Sequence, residues 1–503
     1  MKHLVSTKDL LRKNIAIIGA GASGLFTAVA LKEKGVQNID IFESKSKVGC
    51  VTDTLTESDG TTVDVSNKII DGISLTAGIK PDEEYFNFLK RYNAQFIEGK
   101  RVAFFDLIQR KELPTFKFLL ENPLNTIKQI DHIVRLLKQI IPFGSDPAAA
   151  IHSGVVNPGE DLDSFCQRCD IPLFAELARQ KMAAVTFSTS VVQDAASVLS
   201  YFIAFPSILF WVFAACKPTT NIFAEVDPIF SKARDDLMTG SNPYPMSLGG
   251  QGFQGVFEDL VTQEALAVHL NQPVEQLVFD TNTAKWHIQP KLAHSNAYTY
   301  DVVIIATPPN ITRKLLPQDH PLVALFNNTI QPAHGRVWAI SLSSNDLPKS
   351  IMENDNVYGP VLGVNIEHES LDTPFALFHT SPQGLFLCTT LTKGSSPIVD
   401  GAQAETVIQK ETPQLAEALE EKSPGLTLGK VHQLYEYAFP YYPDINVAPK
   451  DFYLKLEAVQ GHNNVFYISS LNAGLTMPNA LAYAQKLAKL ILERGLTSQD
   501  NHI

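Results

Sequence analysis

The sequence predicts an α/β chain, α+β overall, made of several compact units rather than one core. Three observations carry that expectation. Residues 15–35, "IAIIGAGASGLFTAVALKEKG", pass from four apolar residues through small ones into a helical pattern. A second strand-like run, "NIDIFES", reaches Glu43. Two more strand-like runs, "TYDVVIIATPP" at 299–309 and "NNVFYISS" at 463–470, lie far away along the chain. Short, wholly apolar runs are the mark of parallel strands covered on both faces. At about 150 residues per domain, 503 residues make two to four units.

Each element has a local reason. Ile15, Ala16, Ile17 and Ile18 form the first strand, and Gly19, Gly21 and Gly24 then make G-x-G-x-x-G. The first glycine permits the turn, the second lets a pyrophosphate approach the backbone, and the third lets helix and strand pack closely. Ala22 and Ser23 stand where the helix begins. Its free N–H groups and partial positive charge suit phosphate. Glu43 falls nineteen residues after Gly24, where a carboxylate can accept both ribose hydroxyls of an adenosine. The plain alternative is a surface Glu at a strand end. The spacing and the βαβ pattern together favour dinucleotide binding, with a free 2′-hydroxyl rather than a 2′-phosphate. The motif by itself leaves NAD and FAD open.

Downstream, "SKSKVGCVTDTLTESDGTTVDVSNKII" holds a lysine-flanked Val-Gly and a strand pair around the turn "ESDG". Residues 247–280 read as a Gly-rich turn, an amphipathic helix and a strand entering "QPVEQLVF". The tail reads as strand, loop and long amphipathic helix.

Bulk properties narrow the function classes. Apolar content of 45% and charged content of 19% are those of an ordinary globular protein. A formal charge of −12 without a basic run argues against nucleic-acid partners. The N-terminus lacks an apolar h-region, so no secretory signal is read. Five cysteines are no disulfide framework, which makes a reducing cytoplasm the expected location. Cys166 and Cys169 form one C-x2-C, read as two cysteines a turn apart on a helix. No second pair completes a zinc set, and no metal is expected.

The order of these pieces resembles the FAD-dependent amine oxidase superfamily, the flavin-containing amine oxidoreductases. That family pairs an N-terminal G-x-G-x-x-G and a Glu-ended second strand with a "VGGR" loop and a "D-x-G". A mid-chain Gly-Gly helix, an "ATPP" strand and a C-terminal Gly-Asp strand leading into a helix follow. The resemblance covers roughly 1–75, 240–310 and 430–495. A narrower one, "YAFPYYPDINVAPKDFYLKLEAVQGHNNVFYIS" with "GFQGVF" at 252–257, is similar to the branch of bacterial polyunsaturated fatty-acid double-bond isomerases.

The resemblance implies a Rossmann-like FAD-binding domain of three segments, 1–75, 240–310 and 430–503, interleaved with a substrate domain of 76–239 and 311–429. It implies non-covalent FAD. The residues carried over are Gly19, Gly21, Ala22, Ser23, Gly24, Glu43, Ser44, Gly49, Cys50, Val274, Ser470 and Met477. Val274 would meet the adenine through its backbone, and the helix starting near Pro478 would aim its N-terminus at the flavin O2. Tyr441 and Tyr442 fall where the family often sets aromatics beside the flavin, although ordinary packing explains them equally well.

Several family features are missing. "GGR" stands as Gly49, Cys50, Val51; "D-x-G" as Asp64, Val65, Ser66; and the C-terminal Gly-Asp as Ser469, Ser470. Each change removes a charge or a glycine near the expected pyrophosphate or ribityl chain, which weakens the expected FAD affinity. Many amine oxidases carry a lysine linked through water to flavin N5. The corresponding strand here, 333–342, has Arg336, Trp338 and Ala339 but no lysine, the next being Lys349. No cysteine follows Cys388, which excludes a C-terminal covalent flavin link.

Residues 195–216, "AASVLSYFIAFPSILFWVFAAC", carry no charge. They read foremost as buried helices of the substrate domain, with a peripheral membrane-surface patch or a span as alternatives, the latter opposed by Pro206 and Pro218. A small apolar substrate fits such a lining. Arg101, in "EGKRVAFF", is a candidate anchor for an acyl carboxylate, or else a surface arginine. The leading expectation is a flavin-dependent isomerase or desaturase acting on an unsaturated, fatty-acyl-like substrate. The alternatives are an amine or amino-acid oxidase and a flavin-inert lipid-binding protein. The oligomeric state is not legible.

Overall fold

The computed structural model describes residues 12–50, 52–56, 62–65, 80–99, 105–106, 111–112, 123–175, 178, 194–204, 244–291, 298–327, 329–332, 334–342, 376–379, 385–392, 401–422, 427–437, 441–444 and 446–494. Its centre is a parallel sheet of five strands, in the order Val465–Tyr467, Val302–Ile305, Ile15–Ile18, Ile39–Phe42 and Ala267–His269. The first strand pairs Ile15 with Val302 on one side and with Ile39 on the other. Pieces more than 400 residues apart thus share one sheet, because each is too short and too apolar to be stable unless covered on both faces.

The two faces bury different side chains. Ile15 and Ile17 pack with the first helix, Ala22–Glu33, and the C-terminal helix, Met477–Arg494. Ala16 and Ile18 face a second core, shared with Ile133, Phe165, Phe202 and Trp286. Alternation along a strand divides the residues this way. Gly24 explains the tight fit of the first helix: a Cβ there would lie 2.0 Å from the Gly19 carbonyl oxygen.

The strands expected on either side of "ESDG" are an antiparallel pair, Thr54–Thr56 and Thr62–Asp64, with "ESDG" itself outside the described residues. The helix at the Gly-rich turn is Gly252–Gln263. The strand entering "QPVEQLVF", Val274–Asp280, belongs not to the parallel sheet but to an antiparallel sheet with Lys285–Pro290 and Tyr298–Tyr300. One edge strand of the parallel sheet is Ala267–His269, exposed to half-buried and without an apolar run to read in sequence; the other is the buried Val465–Tyr467. A separate antiparallel sheet holds Ala376–His379, Leu385–Thr392, His334–Leu342 and Leu428–Tyr437.

Of the uncharged stretch 195–216, the described part is the helix Ala195–Ala204, whose residues Ala195–Ile203 are all buried. The rest lies outside the described residues. Among the described residues no helix is long and apolar enough to cross a membrane. Cys166 is buried in the helix Leu162–Arg168, and Cys169, half-buried, is its C-cap.

Candidate functional site

Gly19, Glu43, Ala306 and Ile468 follow the carboxyl ends of four parallel strands, the edge at whose crevice sheets of this kind take ligands. The first strand runs into Gly19, which has φ +110°. A side chain there would meet the Ala306 carbonyl at 2.8 Å, so the Gly turn lies against the "ATPP" segment that follows Ile305. Gly21 caps the first helix in extended conformation, without a side-chain hydrogen bond, and no acidic residue stands in the first turn. The helix end at Ala22 and Ser23 therefore keeps its N–H groups and positive dipole open to an anion. Among the described residues, the Ser23 carbonyl accepts from Thr27 Oγ1 at 2.7 Å.

Glu43 follows the second strand and is buried, as a surface Glu would not be. Its Oε2 accepts from the Ala20 N–H at 2.8 Å, inside the Gly-rich turn. Its Oε1 accepts from the Lys45 N–H at 2.9 Å and the Ser44 hydroxyl at 3.1 Å. A carboxylate offers about four lone-pair sites, so three bonds leave room for a ribose hydroxyl. The loop before Val274 is tied to the same place, with Gln272 N–H donating to the Glu43 carbonyl at 2.8 Å and Asn271 N–H to that of Lys45 at 2.9 Å. Val274 itself is half-buried at the start of its strand.

The loop carrying Gly49 and Cys50 closes the other side. Gly49 N–H donates to the Ala20 carbonyl at 2.8 Å, and Gly21 and Gly49 form a parallel bridge. Cys50 takes φ +56°, and its Cβ lies 3.2 Å from where a Gly21 Cβ would be. Cys50 stands for the second glycine of the family's "GGR" and keeps a positive φ, while the arginine's position is Val51, outside the described residues. The nearby cation, Lys47, is paired with Asp53. Among the described groups, charge compensation at this turn falls to the helix end.

Asp64 stands behind this loop. Its Oδ1 accepts from the Phe253 N–H at 2.9 Å and the Thr54 hydroxyl at 2.7 Å, which caps the helix Gly252–Gln263. Its Oδ2 has no partner among the described residues. Burial pushes the carboxyl up to about 7, against the lowering pull of Thr54 and Phe253.

The fourth strand leads from Tyr467 into the short helix Ser470–Ala473, capped by Ser469 with Asn472 in a reciprocal capping box. Where the family has Gly-Asp, the half-buried Ser470 starts that helix. Met477 opens the C-terminal helix, buried, with its sulfur accepting from Tyr85 OH at 3.1 Å. Asn479 follows, fully buried. Its Nδ2 donates to the Ser145 carbonyl at 2.5 Å and to the Ser200 carbonyl at 3.1 Å. Sequence reading missed Asn479, because a lone Asn shows no periodicity, and noted Asp64 only as the first residue of the family's "D-x-G".

Gly19, Gly21, Ala22, Ser23, Gly24, Glu43, Ser44, Gly49, Cys50 and Val274 are drawn to one side of the crevice, and Ser470 and Met477 follow the neighbouring strand. Tyr441 and Tyr442 lie in the strand Tyr441–Pro443, paired with Ile330–Pro332, but their side chains are outside the described set. Arg101 and Lys349 also lie outside the described residues.

An uncapped helix end, a glycine-rich turn and a buried carboxylate fit the phosphates and ribose of a dinucleotide, and define a dinucleotide-binding α/β protein. The chain belongs to the flavin containing amine oxidoreductase family, whose model matches residues 22–492. Its cofactor is FAD, and it is a flavin-dependent oxidoreductase or isomerase. Among solved structures, the chain is similar to the CLA-producing fatty acid isomerase from P. acnes, with a TM-score of 0.68 and 16% identity over 95% of this chain and 99% of that one. It is also similar to wild-type putrescine oxidase bound to putrescine (TM-score 0.56, 13% identity, 96% and 99% covered). Cyclohexylamine oxidase from Brevibacterium oxydans IH-35A gives a TM-score of 0.52 at 14% identity, with 96% and 99% covered. At such identities these likenesses concern the fold. No curated protein sequence matches the chain.

Proposed function

We propose that the chain acts on an apolar, unsaturated, fatty-acyl-like substrate, as an isomerase or desaturase. The observation that carries the reading is the helix Ala195–Ala204, which is without charge and which Asn479 ties to the first turn of the C-terminal helix. An apolar wall joined to the cofactor-side helix suits a hydrocarbon chain, which gains by leaving water and needs few polar contacts. The strand His334–Leu342, which carries no lysine, supports the same reading. So does the likeness to a fatty acid isomerase. FAD, when bound, supplies two-electron chemistry at a substrate carbon. The residues here bind it, exclude water and orient the chain.

The test is anaerobic incubation of the flavin-loaded protein with unsaturated fatty acids, and separately with amines. Diene absorbance or flavin bleaching with a fatty acid, and little peroxide in air with amines, is the expected result. Rapid bleaching by an amine and none by any lipid would put an amine oxidase first, a reading favoured by the likeness to putrescine and cyclohexylamine oxidases. Arg101→Ala is expected to raise KM more than it lowers kcat, the pattern of lost uniform binding.

A further inference from the structure

The start of the C-terminal helix is built in an unusual way. Pro478 has no N–H to offer, and the Asn479 N–H turns back to Thr476 Oγ1 at 3.3 Å. That leaves the Met477 amide as the donor at the tip of a helix reaching to Arg494. The Asn479 side chain is fully used and fully buried. Its Oδ1 accepts from the Thr476 hydroxyl. Its two Nδ2 hydrogens go to carbonyls from two other parts of the chain. Ser145 precedes Asp146, the N-cap of the helix Pro147–His152, and Ser200 lies within Ala195–Ala204. A buried amide that loses such bonds leaves carbonyls unsatisfied, so it holds its geometry firmly.

We propose that Asn479 is a positioning residue that sets the electrostatics of the cofactor. It fixes the tip of the C-terminal helix against the apolar helix Ala195–Ala204, so that the positive helix end and the substrate wall keep one spacing. The inference rests on the reading that FAD lies in this crevice with its pyrimidine edge at the Met477 tip. It does not depend on the substrate. A helix N-terminus held at that edge favours the anionic reduced form and raises the midpoint potential. Releasing the tip lowers it. A carboxylate at the same position lowers it further, since it repels that anion and cannot donate to Ser145 and Ser200.

The experiment is dye-equilibrated reduction of the flavin-loaded protein, comparing wild type with Asn479→Ala and Asn479→Asp. Each variant is expected to shift the ratio of oxidised to reduced flavin at fixed potential at least tenfold toward oxidised, about 30 mV for a two-electron couple, with Asp the larger. Thr476→Val, which removes the partner of Oδ1, is expected to shift it in the same direction and carries the test if the Asn479 variants do not fold. Tyr453→Phe is the control for mere loosening. It breaks the 2.8 Å bond from Tyr453 OH to Asp194, which caps Ala195–Ala204 from the other end. It should lower Tm without moving the potential. Potentials of the Asn479 or Thr476 variants that stay at the wild-type value, or that move no more than that of Tyr453→Phe, would overturn the proposal. A wild-type protein that takes up no flavin would instead overturn the reading beneath it.

Discussion

Replacing Glu43 by Gln perturbs the crevice at its most connected group. The carboxylate takes the Ala20 N–H at 2.8 Å and the Lys45 N–H at 2.9 Å, one on each oxygen. A carboxamide can accept only one of these and turns its own N–H against the other. The apo protein thus loses about 1–3 kcal/mol, the cost of one buried unsatisfied donor. The flavin-loaded form loses more. A hydrogen bond to a charged acceptor is worth about 1.5–3 kcal/mol, so FAD should bind roughly ten- to a hundredfold more weakly. By linkage, the stabilisation that FAD confers should fall by about 1.4 kcal/mol for every tenfold loss. The assay is paired: flavin fluorescence titration of the apo protein, and thermal unfolding with and without FAD. A lowered apo Tm with an unchanged FAD Kd would refute the reasoning, and Glu43 would then be a structural clamp on the Gly-rich turn.

Further outcomes follow from the same geometry. Gly24→Ala sets a Cβ 2.0 Å from the Gly19 carbonyl oxygen, a backbone atom that cannot swing aside. It should cost about 3 kcal/mol or more, read as loss of soluble, flavin-binding protein. Val51→Arg returns the cation that the family's "GGR" carries after the glycine standing here as Cys50. FAD Kd should fall by roughly fivefold, about 1 kcal/mol, and that gain should fade at high salt. For Asp64 the sign is set by its proton, since the folded protein keeps it up to about 7 while the unfolded chain loses it near 3.8. Its contribution to stability therefore falls as pH rises from about 4 and levels off above 7. Asp64→Asn, which keeps the acceptor for Thr54 and Phe253, should flatten that part of the profile in denaturant unfolding. A slope as steep in the variant as in wild type would show that other groups cause it.

The local sequence determined the nucleotide unit. Ile15–Ile18, the three glycines and Glu43 specify strand, turn, helix and strand through rules acting within some thirty residues, and they stand in the structure as one cradle. The strand pair around "ESDG", the helix at 252–263 and the "ATPP" strand were legible for the same reason: periodicity and turn chemistry are local. The edge strand Ala267–His269 was not legible, because it lacks the apolar run of Val465–Tyr467 at the opposite edge, and only pairing with Ile39–Phe42 makes it a strand. The same short-range logic left the sheet of Val274–Asp280 open. Its strand character was plain, but its sheet depended on Lys285–Pro290 lying opposite. Burial too was decided only in three dimensions. Asn479 looks like any polar residue in a line of text, and Asp64 like the head of a family motif whose burial is not written there. Tertiary packing removes their water, and it then fixes what each must hold: a helix end 189 residues away for Asp64, and carbonyls 334 and 279 residues away for Asn479.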